Sequence, residues 1–299
     1  MPLGGCSGSC LSTIQPWQHV RRRPGVTQDF REALKWYRLA AAQNDSDAQN
    51  NLGTMYNSGH GVRQDFNEAL KWYRLAAEQG NGFAQLNLGF MYYENQGVPQ
   101  DYNYKEARKW FRLAAEKGIT LAQYNLGIIY DLGKGTPRDF AEAARWYRMA
   151  AEKGIPEAQY NLGVAYDKGH GVPQDYKEAV HWYRLAADQG LASAQYNLGS
   201  SYDVGHGVPQ DYKEAVRWYR LAANQGDTGA QTNLGGNYCL GQGVPRDYIQ
   251  AYMWFTLAGT SAALKNRDVV TAKMTPDKIS EAQHLAREWK PKTTKDGPR

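Results

Sequence analysis

At 299 residues and a formal charge of +5, the chain has neither the basic excess nor the basic block that nucleic-acid binding calls for. No stretch approaches the about 18 apolar residues of a membrane span. Three cysteines, Cys6, Cys10 and Cys239, make no disulfide framework.

In chain order, residues 1–23 read as a disordered leader of small and polar residues, with Pro2 and Pro16 and the short basic run Arg21, Arg22 and Arg23. Leu3, Gly4, Gly5 and Cys6 have the form of a bacterial lipoprotein cleavage box. Only two residues precede them, so no charged or apolar signal region stands in front. Coincidence is the preferred reading, and a start placed inside a longer precursor is the other. Residues 24–47 supply a loop and one helix without a partner helix ahead of it. A polar end normally caps a stack of repeats. Either Ile14 and Trp17 cover the open flank, or the natural protein begins further upstream.

From there the chain is periodic. Trp36, Trp72, Trp110, Trp146, Trp182, Trp218 and Trp254 recur 36 residues apart, with one gap of 38. Six units begin near Ala48, Ala84, Ala122, Ala158, Ala194 and Ala230. A period in this range marks stacked repeats, which present long surfaces. In the unit that begins at Ala158, Ala158, Leu162 and Tyr166 share one face of a helix. Gly163 and its equivalents Gly53, Gly89, Gly127, Gly199 and Gly235 weaken that helix, so a close neighbour is expected there. Gly169 and Gly171 end it. Asp175, with Glu178 three residues on, predicts an N-cap and a capping box for a second helix. That helix buries Ala179, Trp182, Tyr183, Ala186 and Ala187 and stops at Gly190. In the third unit two extra residues after Asp101 separate it from Glu106, so Asn103 is expected to cap instead. Asp247 and Gln250 fit the box in the last unit.

Beyond Trp254 the pattern fades. Residues 264–273 and 276–289 read as two helices, the second with Thr275 as N-cap, Pro276 at its first position and Ile279, Ala282, Ala286 and Trp289 on one face. The expected organisation is a leader over 1–23, a solenoid over 24–262, a helical cap over 263–290 and a charged tail over 291–299. The fold class is all-α: a superhelical solenoid of antiparallel helix pairs.

Candidate chemistry is sparse. His60, His170 and His206 lie in Gly-His-Gly turns of different units without ligand spacing, so they read as solvated turn residues, and no metal is expected. His181 follows the exposed pattern of Arg145 and Arg217. Gly-x-Gly-Val-Pro lacks the Gly-Lys-Ser/Thr ending of a phosphate loop and follows a helix. Arg38, Arg74, Arg112, Arg148, Arg184 and Arg220 form one line, each expected to pair with a nearby carboxylate. The alternative is a positive stripe for acidic partners. Asn51, Asn87, Asn125, Asn161, Asn197 and Asn233 are expected to bond backbone carbonyls between units, with a bound peptide backbone as the alternative. No catalytic constellation and no cofactor motif stands out.

The unit Ala-Gln-Tyr-Asn-Leu-Gly-x-x-Tyr-Asp-x-Gly-x-Gly-x-Pro-x-Asp, followed by Glu-Ala-x-x-Trp-Tyr-Arg-x-Ala-Ala, closely resembles the Sel1-like repeat, a relative of the tetratricopeptide class. The resemblance covers about residues 25–262. The ending, from Ala251 through Trp289, is similar to the closing segment of bacterial members. The resemblance implies an α/α superhelix that acts as an adaptor between proteins, often in signalling, envelope or host-interaction settings. One cysteine-rich branch has been described as binding or hydrolysing β-lactams through units with paired cysteines. This chain lacks that pairing, so the activity is not carried over.

Differences between units point to where a partner binds. Counting each opening alanine as position 1, positions 3, 7 and 10 share a helical face and vary. Position 3 includes Tyr124, Tyr160 and Tyr196, position 7 includes Phe90, and position 10 includes Tyr93, Asp131, Asp167 and Asp203. By analogy with tetratricopeptide stacks, these residues line a concave groove. Tyrosine offers contact area at small entropy loss and aspartate favours a basic segment. The competing reading has the tyrosines wedged between units. The expected function is a monomeric, non-catalytic scaffold for a protein or peptide partner. A secreted or envelope effector built on the same surface is a further alternative.

Overall fold

The computed structural model describes residues 29–97 and 103–291. The leader, Ile14 and Trp17 within it, Asp101 and the last eight residues lie outside that range. Fifteen helices and no strand are found among the described residues. In order they are α1 (Phe30–Ala42), α2 (Ser46–Ser58), α3 (Phe66–Glu78), α4 (Gly82–Tyr93), α5 (Asn103–Glu116), α6 (Thr120–Leu132), α7 (Phe140–Ala151) and α8 (Pro156–Lys168). There follow α9 (Tyr176–Asp188), α10 (Ala192–Val204), α11 (Tyr212–Asn224), α12 (Thr228–Leu240), α13 (Tyr248–Ala258), α14 (Ser261–Thr271) and α15 (Pro276–Glu288). From α1 to α14 each helix packs on the next, and α15 packs back on α13. This is an all-α solenoid. Even-numbered helices α2 to α12 are the first helices of the units and α3 to α13 the second.

The neighbour expected at the mid-helix glycine is an aromatic ring. A Cβ on Gly163 would lie 2.7 Å from the Tyr183 ring of the same unit, and one on Gly127 would lie 2.6 Å from Tyr147. Gly53, Gly89, Gly199 and Gly235 meet Tyr73, Phe111, Tyr219 and Phe255 in the same way. Each second helix therefore rests one flat ring on the bare backbone of its first helix. The gain is a buried aromatic side chain, which outweighs the roughly 1 kcal/mol propensity loss of the glycine.

The turn between the helices is only half the expected capping box. Asp175 accepts from the amides of Lys177 at 2.8 Å and Glu178 at 3.2 Å. Its own amide does not receive the glutamate. It donates to the Tyr166 carbonyl at 3.0 Å, and Asp65, Asp139, Asp211 and Asp247 do likewise to Tyr56, Tyr130, Tyr202 and Tyr238. The carbonyl of the first helix thus ties down the start of the second. The freed glutamates serve the next turn, as when Glu142 accepts from the Trp146 indole at 3.1 Å. In the third unit Asn103 is the first helical residue, buried, with its side-chain Nδ2 donating to the side-chain Oδ1 of Asn95.

Between units, the Asn line proves not to be the carbonyl-bonding ladder. Asn125 bonds Leu121 in its own helix at 2.7 Å, Asn87 reaches Asn50 at 3.0 Å, and Asn161 and Asn197 meet the phenols of Tyr147 and Tyr183. Glutamine at position 2 is the residue that crosses the seam to a carbonyl. Buried Gln85, Gln159, Gln195 and Gln231 donate to Ala77, Ala151, Ala187 and Ala223, each at 3.1 Å. Each adds a second bond, from the next unit, to a helix-end carbonyl that already accepts the amide of the turn glycine. The Arg line is also reassigned. Arg38, Arg74, Arg148, Arg184 and Arg220 donate to the phenols of Tyr56, Tyr92, Tyr166, Tyr202 and Tyr238 in the following unit. Among the six, Arg112 pairs with a carboxylate, Glu116 at 3.6 Å. The turn histidines are not simply solvated, since His60, His170 and His206 stack on Phe30, Phe140 and Tyr176 of the preceding unit at 4.5 to 4.6 Å.

Trp110 and Trp218 pack into the preceding unit. Trp36, with no described helix before α1, is 63% exposed. At the other end Trp289 packs edge-on against Trp254, with centroids 6.2 Å apart. Ala282 of α15 is fully buried in one cluster with Ile279 beside it, while Ala286 and Trp289 pack on the cluster that holds Trp254.

The ring-on-glycine contact makes a paired prediction. Gly163→Ala should lower stability by about 1–3 kcal/mol through overpacking. Gly236, helical and with nothing within 4 Å of a built Cβ, should tolerate alanine and gain up to about 1 kcal/mol. Urea unfolding of both variants gives the comparison.

Candidate functional site

The variable positions of the first helices gather around the buried rings. Position 6 is the glycine, so the ring upon it lies between position 3 and position 10. Tyr124 faces Tyr147 with centroids 6.1 Å apart, Tyr160 faces Tyr183 at 6.0 Å and Tyr196 faces Tyr219 at 5.9 Å. At the other side Tyr147 donates a long 3.4 Å hydrogen bond to Asp131. Asp167 and Asp203 stand beside Tyr183 and Tyr219 in the same relation, close enough to perturb their phenols. Asparagine from the next unit, Asn161, Asn197 or Asn233, completes each group. The result is three equivalent clusters, each of two tyrosines, one aspartate and one asparagine, drawn from three helices.

Exposure along this face is that of a furrow. Tyr160, Tyr196, Asp131, Asp167, Asp203, Phe90 and Tyr93 are all half-buried. Tyr124, at 9% exposure, is buried and offers little surface. One residue further along, Leu132, Val204 and Leu240 are exposed. A cavity of about 50 Å³ opens between α6, α7 and α8, lined by Asp131, Tyr147, Asn161, Val164 and His170 among others.

The electrostatics are asymmetric. Burial pushes the Asp131 carboxyl above its ordinary value, and the Tyr147 hydrogen bond, Arg138 and His170 only partly oppose this. Burial likewise raises Asp203, and the neighbouring Asn237 amide and Tyr219 phenol only partly oppose this. Neither forms an ion pair with a described residue, whereas Asp167 pairs with its neighbour Lys168 at 2.7 Å. The phenols of Tyr147, Tyr183 and Tyr219 are raised by burial and then by the nearby aspartates, so they remain protonated donors.

Phe90 and Tyr93 are placed differently. Phe90 packs edge-on against Phe111, the ring that sits on Gly89. Tyr93 packs against Tyr104, and Lys134 of the next unit bonds the Tyr93 hydroxyl at 2.8 Å while lying over both rings. Here a lysine and a phenol occupy the places that His170 and Asp131 hold one unit on, so the acidic row stops. Among the described residues no group of three or more His, Cys, Asp or Glu is placed to hold a metal ion. Cys239, half-buried, is free. Among the described residues no helix is long and apolar enough to cross a membrane.

The sequence reading placed Tyr183 in the core and gave the second-helix tyrosines no part in the site. A signal for them exists within the chain. Tyr147, Tyr183 and Tyr219 accompany Asp131, Asp167 and Asp203, and Tyr73 accompanies Asn57. Phe111 and Phe255 accompany Tyr93 and Cys239.

The Sel1 repeat family matches over residues 22–45, 46–81, 82–119, 120–155, 156–191, 192–227 and 228–261. Among solved structures, the chain is 35% identical to c5321, a protective antigen of uropathogenic Escherichia coli with an SLR fold, with a TM-score of 0.62. That alignment covers 89% of this chain and 65% of the antigen, so this chain spans under two thirds of the antigen's length. A Sel1 repeat protein from Oxalobacter formigenes is 33% identical with a TM-score of 0.64, over 79% of this chain and 98% of that one. A search of curated proteins returns no match.

The raised carboxyls set a pH dependence. A folded pKa above the unfolded value means the native state binds more protons between the two, so stability falls as pH rises through that window. Asp203→Asn should therefore raise the thermal midpoint at neutral pH. The gain should vanish below about pH 4, where the unfolded carboxyl is also protonated. Thermal melts across pH check both parts.

Proposed function

The chain belongs to the Sel1 repeat family, whose members are generally protein-interaction scaffolds, and on that premise we propose that it is a monomeric, non-catalytic scaffold holding a protein or peptide partner along its first helices. The partner's contact segment is basic. The observation that carries this is the row of half-buried aspartates on a tyrosine-lined furrow. Asp131 and Asp203 lose hydration on folding, Asp131 is only partly compensated by Arg138 and His170, and neither forms an ion pair with a described residue. A carboxylate so incompletely compensated lowers the stability of the free protein, and a bound cation would restore what burial removes. Tyr160 and Tyr196 add half-buried aromatic surface beside it. Tyr124 contributes through packing against Tyr147.

A second reading is the same scaffold working as an envelope or secreted effector, and the 35% identity to a protective antigen favours it. It differs in address rather than in surface, and fractionation of cells that express the natural gene tells the two apart. Hydrolysis of β-lactams finds no support in the free Cys239, and a nitrocefin assay is the direct check.

Lysine-rich peptides should bind the wild type more tightly than glutamate-rich ones of equal length, with affinity falling as salt rises. Tyr160→Ala and Tyr196→Ala should weaken that binding by more than about fivefold. Fluorescence anisotropy reads the affinity and circular dichroism the fold. Lost thermal stability with unchanged binding would assign these tyrosines to packing alone.

A further inference from the structure

The aspartates at position 10 are alike, but the residues beside them are not. Asp131 borders the cavity of about 50 Å³, to which the following unit contributes Val164 and Ala165 of α8 and His170 of the turn after it. One unit on, beside Asp167, the equivalents of Val164 and Ala165 are Ser200 and Ser201, and beside Asp203 they are Gly236 and Asn237. Of the three carboxylates, Asp131 alone has the aliphatic wall. Tyr147 and Ala165 are buried, whereas Asp131, Val164 and His170 are half-buried, so the cavity opens to solvent on the side of the latter three.

The polar groups of this cavity call for a positive charge that the free protein supplies only in part. Tyr147 gives its proton to Asp131 over a long 3.4 Å, and the Asn161 amide stands beside the same phenol. Arg138 lies over the Phe140 ring at 5.3 Å and His170 stacks on that ring at 4.5 Å, so both are engaged elsewhere and offset the burial of the Asp131 carboxyl only partly. The volume holds one or two groups the size of water, whose share of the liquid is about 30 Å³. A lysine ammonium is such a group, a compact point charge on a flexible methylene stem. A guanidinium is a broad planar fork, and several of its donors would be left unpaired against Val164 and Ala165. The same two side chains suit the lysine methylenes, which lie along apolar surface while the charge reaches its partner.

We propose that the cavity beside Asp131 receives one primary ammonium on an aliphatic stem, a lysine side chain of the bound partner, with the Asp131 carboxylate as counter-charge, the Tyr147 oxygen as a second acceptor, and Val164 and Ala165 along the stem. This rests on the scaffold reading above and adds which basic residue is read, and where. Asp167 is already paired with Lys168, and Asp203 has the Asn237 amide beside it. Those two carboxylates attract positive charge without choosing between lysine and arginine, and the choice falls to the cavity at Asp131.

Fluorescent peptides of equal length, with lysine, arginine or Nε-trimethyl-lysine at the same positions, test this on the full chain. Trimethyl-lysine keeps the charge and the stem but has a larger head without N–H donors. The lysine peptide should bind about fivefold more tightly than either other. Asp131→Asn should abolish that preference, and Val164→Ser, which copies the residue beside Asp167, should reduce it. Asp203→Asn should weaken all three peptides alike and leave the preference intact. Asp131→Asn removes a carboxylate that burial disfavours, so the variant should remain folded, as circular dichroism reads. A second measurement needs no peptide. Millimolar n-butylammonium should shift the Val164 methyl signals in NMR spectra of the wild type and not of Asp131→Asn, and ethylguanidinium should shift neither. Equal binding of the lysine peptide and either other, or Val164 signals that ignore butylammonium, overturns the lysine pocket and leaves the basic-segment reading standing. Bound butylammonium with no peptide bound assigns the cavity to a free amine, which overturns the partner lysine and the basic-segment reading together.

Discussion

A flat aromatic ring seated on a bare glycine backbone governs this molecule. It recurs in six units, from Tyr73 on Gly53 to Phe255 on Gly235. A side chain at the glycine would collide with the ring, and a smaller residue at the ring would leave a void at the centre of the helix pair. The contact therefore sets how closely the two helices approach and where one lies along the other. The Asp amide bonded to the tyrosine carbonyl then holds the turn. Because the same residues do this in each unit, pairs of one geometry result, and pairs of one geometry stack.

Stacking brings its own polar demands, and they are met by residues pointing forward or back across each seam. Gln159 and its equivalents add a bond to a helix-end carbonyl of the unit before, arginines reach tyrosines eighteen residues on, and turn histidines lie on the ring that opens the previous second helix. All of these bonds connect nearest neighbours, as expected of a quasi-one-dimensional architecture. The middle units relax one local rule. Their first helices start after Ile119, Ile155 and Leu191 with no side-chain cap, whereas Asp45, Asn81 and Asp227 cap the outer ones. An absent cap costs about 1 kcal/mol, and here apolar packing of those residues between units stands in its place.

The period of tryptophan and the glycine stops made the helix pairs legible in the sequence, because helix periodicity and turn chemistry are local properties. Partners across the seam were not legible. Arginine beside glutamate on one helix looks like an ion pair, and only the stack shows that a phenol of the next unit is nearer. An invariant asparagine and an invariant glutamine two residues apart carry the same functional group, so repetition alone could not say which meets the carbonyl. Tyr124, Tyr160 and Tyr196 were singled out by variation, which selects a helical face but says nothing of depth. Tyr124 lies deeper than its two counterparts. The hydroxyl that stands beside each aspartate was written in the alternation of tyrosine with phenylalanine after the tryptophan, a signal visible only when units are compared in pairs of positions.

A surface made of like intervals has a translational ambiguity, for anything fitted to it could shift by one unit and fit nearly as well. Lys134 breaks that symmetry. Clamped between Tyr93 and Tyr104, it puts a fixed positive charge where the next step of the row would fall, and a second cation sliding that way would be repelled. One substitution in one unit thus gives an otherwise uniform track a frame of reference.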